Sequence, residues 1–373
     1  MRNRFLPALM GGVALLGYGQ AAMAAEPRFN MTRGVTPVAH EVYDLHMLIL
    51  WICVAIGLAV YAVMLYSIFK HRKSKGAVAA QFHEHPTLEV VWTVIPAVVL
   101  VLMAIPATQA MIKLYDTSDP DMTVKVTGYQ WKWHYDYLDE GISFFSNLKT
   151  PPEQIDGSAA KDENYLRDVD NPVVLPIKTK IRFVITANDV LHAWWVPDFG
   201  WKQDAIPGFI NENWAYIEEP GTYRGQCAEL CGRNHGFMPI VVQAVPEDEY
   251  RQWVARQKLA MAEAASASDK AYSREELMAA GEKVYQTTCV ACHQANGQGV
   301  PGAFPALAGG AIATGPVAGH LNIVVNGKAG TAMQAFGAQL NDLDIAAVIT
   351  YERNAFGNDS GDVVQPADVK AAR

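Results

Sequence analysis

The chain has 373 residues, 50% of them hydrophobic, with a mean hydropathy of +0.04, so its length favours more than one domain and its texture is greasier than an ordinary soluble protein. With 38 acidic against 30 basic residues the formal net charge is −8, which excludes a nucleic-acid binder held by phosphate neutralisation. Five cysteines are too few and too unevenly spaced for a disulfide scaffold.

In chain order, Arg2 and Arg4, an apolar run over 6–17 and Ala22-Met23-Ala24 read as an export signal over 1–24. An N-terminal arm and two uncharged stretches, 46–69 and 90–112, follow within 25–115, each long enough to cross hydrocarbon as a helix. The connecting loop carries Lys70, Arg72, Lys73 and Lys75 against Arg28 and Arg33 on the arm, which predicts a cytoplasmic loop and external termini. From 116 to 247 the pattern is strand-like. Ile181, Phe183, Ile185 and Ala187 alternate with Lys180, Arg182, Val184 and Thr186, as on a strand with one face buried. The alternation in 124–137 changes phase at Gly128, which predicts a β-bulge there. An all-β sandwich fits. Residues 248–272 read as a helix fading into a linker. Over 273–357, Ser273 and Glu276 form a capping box and Asn341 caps a second helix, giving a small helical unit short of core, whose missing apolar body a large cofactor would supply. Residues 358–373 read as a disordered tail.

Cys227-Ala-Glu-Leu-Cys231-Gly-Arg-Asn-His235-Gly-Phe-Met238 places two thiolates, an imidazole and a thioether in one short run, a donor set suited to copper rather than to closed tetrahedral zinc. Two thiolates can bridge two copper ions, and such a centre needs a second imidazole. His192, after the alternating strand, is the candidate. A Cys227–Cys231 disulfide is the rival reading, and His235 and Met238 at these offsets argue against it.

Three sets of residues carry a family resemblance: the C-x-E-x-C-x3-H-x2-M run, His192 with Trp194-Trp195-Val196-Pro197, and Gly128-Tyr129-Gln130-Trp131-Lys132-Trp133. Together with the two spans, they resemble subunit II of haem-copper cytochrome c oxidases over about 35–250. The resemblance implies a cupredoxin-type sandwich holding a binuclear copper (CuA) centre on His192, Cys227, Cys231, His235 and Met238, with the backbone carbonyl of Glu229. It further implies that the Glu229 side chain helps bind a Mg²⁺ shared with subunit I, a role that suits a carboxylate. Trp131 corresponds to the family's point of electron entry, with simple strand packing as its rival reading. Glu89 corresponds to an acidic residue at the mouth of a proton path, the rival being a solvated carboxylate. Tyr129 stands where the family usually has His.

Cys289-Val290-Ala291-Cys292-His293 is a covalent haem attachment motif, with Cys289 and Cys292 binding the vinyl groups and His293 as proximal ligand. Met333 resembles the sixth ligand of small class I cytochromes c in its placement, while Met278 on the opening helix is the weaker candidate. Met/His ligation raises the haem potential.

The expected architecture is therefore a two-helix transmembrane hairpin, an all-β cupredoxin-like sandwich and a small all-α class I cytochrome c domain. Together the two resemblances imply a caa3-like subunit II. Its role would be to pass electrons from haem c to CuA and on to subunit I, where O₂ becomes water, coupled to proton translocation. The expected partners are subunits I and III, reduced cytochrome c or another donor, and lipid, in a bacterial-type inner membrane. A membrane-anchored haem and copper carrier serving another reductase is the alternative.

Overall fold

The structure, a computed structural model, describes residues 30–373; the expected export signal lies outside the described residues. Helices α1 (Pro37–Lys70) and α2 (Pro86–Leu114) run antiparallel as neighbours. Their most apolar windows have mean hydropathies of 2.7 and 2.5 and bury no residue within the chain, so lipid is the solvent that suits their side chains. Thr36 caps α1 by accepting from the Ala39 N–H, and His85 caps α2 by accepting from the Leu88 N–H. At about 1.5 Å per residue, the 34 residues of α1 outreach the hydrocarbon layer. Its spare first turn is stitched to the sandwich. Val35 N–H donates to the Asp198 carbonyl, Thr36 Oγ1 to the Phe199 carbonyl and Glu218 N–H to the Val35 carbonyl, each at 2.9 Å. A Cβ on Gly200, whose φ is +82°, would lie 2.5 Å from the Ala39 Cα, so this close approach requires glycine.

Among the described residues, ten strands make the sandwich: β1 (Met122–Tyr129), β2 (Lys132–Tyr137), β3 (Ile142–Ser146), β4 (Val173–Pro176), β5 (Lys180–Ala187), β6 (His192–Val196), β7 (Trp201–Ala205), β8 (Asn211–Tyr216), β9 (Gly221–Cys227) and β10 (Pro239–Val245). They form two five-stranded sheets, ordered β3-β2-β1-β5-β8 and β4-β10-β9-β6-β7. The β1/β5 and β4/β10 pairs are parallel. A short helix α3 (Pro152–Ile155) lies in the loop between β3 and β4. Between the sheets, Val124, Trp133, Tyr135, Phe183, Trp194 and Val242 are buried with no residual exposure. The buried phenols keep partners: Tyr135 accepts from Trp194 Nε1, and Tyr137 donates to the Val174 carbonyl while accepting its N–H.

Two expectations are corrected here. The phase change at Gly128 is not a bulge but the approach to a hairpin: Gly128 pairs with Trp133 and Tyr129 with Lys132 around a two-residue turn, so the chain reverses and the inward set changes strand. The residues after 357 are not a disordered tail. Val364 and Val369 are buried, and α9 (Pro366–Ala372) packs on the helical unit with Arg373 donating to Asp342.

Helix α4 (Glu247–Ala267) begins as part of the sandwich, with Tyr250 and Val254 in its core and Trp253 against Tyr137 and Phe144, before leading to the helical unit. That unit comprises α5 (Arg274–Val284), a π-helical turn (Tyr285–Cys289), α6 (Val290–His293), α7 (Val317–Asn326), α8 (Asp342–Asn354) and α9. The expected capping box at Ser273 and the Asn341 cap are both present. Helices α5 and α8 cross at Gly281, where a Cβ would lie 2.1 Å from the Ala347 carbonyl oxygen.

Candidate metal centre and haem site

Strands β6 and β9 pair through Trp194 and Cys227, which sets His192 and Cys227 at one pole of the sandwich. The loop after β9 folds back so that Cys231, His235 and Met238 return to the same point. Ligand atoms of His192, Cys227 and Cys231 lie within 4.8 Å of one another, all three residues buried. The two sulfurs are 3.9 Å apart. His192 Nδ1 is 3.9 Å from Cys227 Sγ, while His235 Nδ1 and Met238 Sδ are each 3.5 Å from Cys231 Sγ. The Glu229 carbonyl oxygen is 3.3 Å from Cys227 Sγ. All six expected donors converge, and the donor set of thiolate, imidazole and thioether fits copper.

The electrostatics divide the two thiols. Burial opposes ionisation of Cys227, but the His192 hydrogen bond and backbone hydrogen bonds at Glu229 and Ala193 outweigh it and lower its pKa. Burial and the neighbouring Cys227 raise that of Cys231.

Supporting groups that the motif did not announce hold the ligands in place. Asp189 Oδ1 accepts from His192 Nε2 at 2.9 Å, leaving Nδ1 turned toward Cys227. Its other oxygen accepts from the Gln130 N–H at 2.7 Å. Gln130 Nε2 and Trp131 Nε1 donate to the Cys231 carbonyl at 2.9 and 3.1 Å, so Trp131 is tied to a ligand's backbone. Trp133 Nε1 donates to the Met238 carbonyl. A Cβ at Gly128 would come within 2.8 Å of the His192 ring, and only glycine leaves that imidazole its place. The one legible signal for Asp189 was its position three residues before His192.

In the helical unit, His293 Nδ1 is 2.9 Å from the Pro305 carbonyl, which fixes the ring and leaves Nε2 as the nitrogen that could take a metal. Cys289, Met333 and Phe336 are half-buried at the edge of the unit's core. This apolar margin with two thiols, a fixed imidazole and a thioether fits a covalently held haem. Met278 lies half-buried on α5. Glu89 is exposed in the first turn of α2, its carboxylate 3.4 Å from the His85 N–H; it is remote in sequence from both redox sites. Glu229 as a residue is half-buried, its backbone carbonyl beside Cys227.

Three family models match the chain. They are the cytochrome c oxidase subunit II transmembrane domain over 24–110, the subunit II periplasmic domain over 122–245, and the cbb3-type cytochrome c oxidase subunit III over 276–351. A probable cytochrome c oxidase subunit 2 from Rickettsia bellii is 36% identical over 246 residues, covering 65% of this chain and 90% of the relative. Subunit 2 from Cereibacter sphaeroides is 36% identical over 233 residues, covering 59% and 77%. The crystal structure of the periplasmic domain of subunit II from Bradyrhizobium japonicum is 39% identical, covers 39% of this chain and 98% of its own, and has a TM-score of 0.35.

Proposed function

Because the chain belongs to the cytochrome c oxidase subunit II family, with a cytochrome c domain fused after the copper sandwich in caa3-like fashion, we propose that it is the electron-input subunit of a terminal oxidase. It passes electrons from a c-type haem to a binuclear copper centre and on to the haem-copper site of subunit I, where O₂ is reduced to water with proton translocation. The observation that carries this reading is the convergence of His192, Cys227, Cys231, His235, Met238 and the Glu229 carbonyl at one buried point, in a chain that also carries a haem attachment motif.

When bound, the two groups supply one-electron couples, the copper pair spreading its charge change over two metals. The chain's own residues hold them. Asp189 orients His192, and burial keeps water from Cys227 and Cys231. The Pro305 carbonyl orients His293, which together with Met333 would hold the haem iron. Trp131 stands at the entry to the copper site through its hydrogen bond to the Cys231 carbonyl. The Glu229 carboxylate contributes to a Mg²⁺ site completed by subunit I, and Glu89 marks the mouth of a proton path. Subunits I and III and surrounding lipid are the partners within a bacterial-type inner membrane, and reduced cytochrome c or another donor supplies electrons. Both mature termini face the periplasm in this reading, which the basic residues at the end of α1 and in the following loop support. The domains proposed are 25–115, 116–247 and a helical unit from 273 that includes α9, the last two joined by 248–272.

Purification of the full chain from membranes, with metal and haem analysis, tests the reading. It should come out with a larger haem-bearing subunit, copper and one covalent haem. Cys227→Ser should abolish the mixed-valence copper signal and leave the haem spectrum intact. Recovery of the chain alone, replete with both groups, would favour the free-carrier alternative and overturn the oxidase role.

A further inference from the structure

The helical unit meets the sandwich at the β1–β2 turn. Gln334 Nε2 donates to the Gln130 carbonyl at 2.9 Å, and Lys132 Nζ donates to Gln339 Oε1. The Lys132 ammonium also lies 4.7 Å from the centroid of the Phe145 ring, on the sandwich, and 5.6 Å from that of Phe336, on the haem-bearing unit. One cation thus holds an aromatic face from each domain. On its own side Gln339 is fixed by donating to the Ala335 carbonyl at 2.6 Å. The ammonium is served by an amide oxygen and two ring faces rather than by a carboxylate, and desolvation pushes its pKa down to about 8. The bonds also run on without a break: Gln334 reaches Gln130, and the Gln130 side chain reaches the carbonyl of Cys231.

We propose that Lys132 is a positioning residue that seats the chain's own haem domain on the copper domain, clamping the 333–339 loop against the Gln130–Trp131 turn. This deepens, and rests on, the proposed haem-to-copper route: it names what fixes the two sites relative to each other. A lone desolvated lysine suits a seat that must form within one chain, because the tether supplies a high effective concentration and a strong salt bridge is not needed. Charge reversal should unseat the domain, since a carboxylate would face the Gln339 oxygen and two negative ring faces. Lys132→Arg keeps a cation that can reach the same groups.

The test uses the full chain in the purified oxidase, with haem and copper loaded, as wild type, Lys132→Glu and Lys132→Arg. Two quantities are read: amide hydrogen exchange over 328–340, and the rate at which photoreduced haem passes its electron to copper. In Lys132→Glu, exchange in that loop should rise and the transfer rate fall, each by about tenfold or more, the change expected when a hydrogen bond to a charged group is lost. Lys132→Arg should restore both to within a few-fold. Haem and copper spectra report whether each variant has folded. If Lys132→Glu is not recovered folded, the double variant Gln334→Ala/Gln339→Ala on the opposite face should show the same two changes. Unchanged exchange and rate in a folded variant would overturn the seat, as would a slower rate with unchanged exchange. Absence of any haem-to-copper transfer in the wild type, with loop protection still dependent on Lys132, would instead sink the electron route and leave the seat standing.

Discussion

Asp189 ties the copper site to the hairpin that roofs it. One oxygen accepts from His192 Nε2 and the Val190 N–H, the other from the Gln130 N–H. Burial pushes its pKa up, but these hydrogen bonds outweigh the burial and hold the carboxyl below its ordinary value, so it stays an acceptor. Asp189→Asn removes the charge that fixes the imidazole and should weaken copper retention roughly 10–100-fold, the usual effect of losing an outer-shell partner. Competition with a graded copper chelator measures this, and retention equal to wild type would show that packing alone orients His192. The ligands themselves were legible as residues, because a thiolate pair with imidazole and thioether at short offsets has few other uses. Asp189 was not, and Gly128 and Gln130 were legible only as members of a family motif and not in these roles, because a carboxylate, a glycine and an amide are common and gain meaning only from what lies across from them.

Among the elements, the β1–β2 hairpin shows how a pattern misleads. A period-two alternation that switches phase is produced equally by a bulge and by a tight turn, and only the pairing of Tyr129 with Lys132 separates them. The outcome matters, since the turn puts Gln130 and Trp131 over the Cys231 carbonyl. Helix α9 is the other case. Its segment looks polar and proline-bearing, yet Val364 and Val369 reach the helical core, and Gln365 and Asp368 cap its start. Three buried apolar side chains in sixteen residues, Val364, Pro366 and Val369, leave no periodicity to read. Val369→Ala should destabilise the haem domain by about 2 kcal/mol, the transfer energy of the lost methyl groups plus the cavity left behind. Thermal unfolding followed at the haem absorbance checks it, with no shift in midpoint meaning that α9 contributes little to the fold. Gly281 belongs to the same scale: the crossing of α5 and α8 depends on a missing side chain, which hydrophobic spacing cannot reveal.

Across the whole molecule, an apolar hairpin, a sandwich and a helical unit are joined in one line, and the first turn of α1 is fastened to the sandwich by Val35, Thr36 and Glu218. That fastening places the sandwich on the side of the membrane where α1 begins and α2 ends. Protease added to intact spheroplasts should therefore cut the long loop between β3 and β4 and spare the basic loop between α1 and α2 until the membrane is opened. Peptide mapping reads the result, and the reverse order of cutting would invert the topology. The sequence by itself determined the three kinds of domain, both spans, the run of thiol, imidazole and thioether side chains at Cys227, Cys231, His235 and Met238, and the C-x-x-C-H motif at Cys289–His293. Each of these is written in consecutive residues, where hydropathy and ligand offsets act over a few turns of chain. The sequence offered His192 as the distant partner of Cys227, 35 residues away, but tertiary structure alone decided that Asp189 steers it and that Gln334 lies on Gln130 across 204 residues. Such meetings depend on strand order and domain docking, which are set by the burial of the whole core and not by any local stretch.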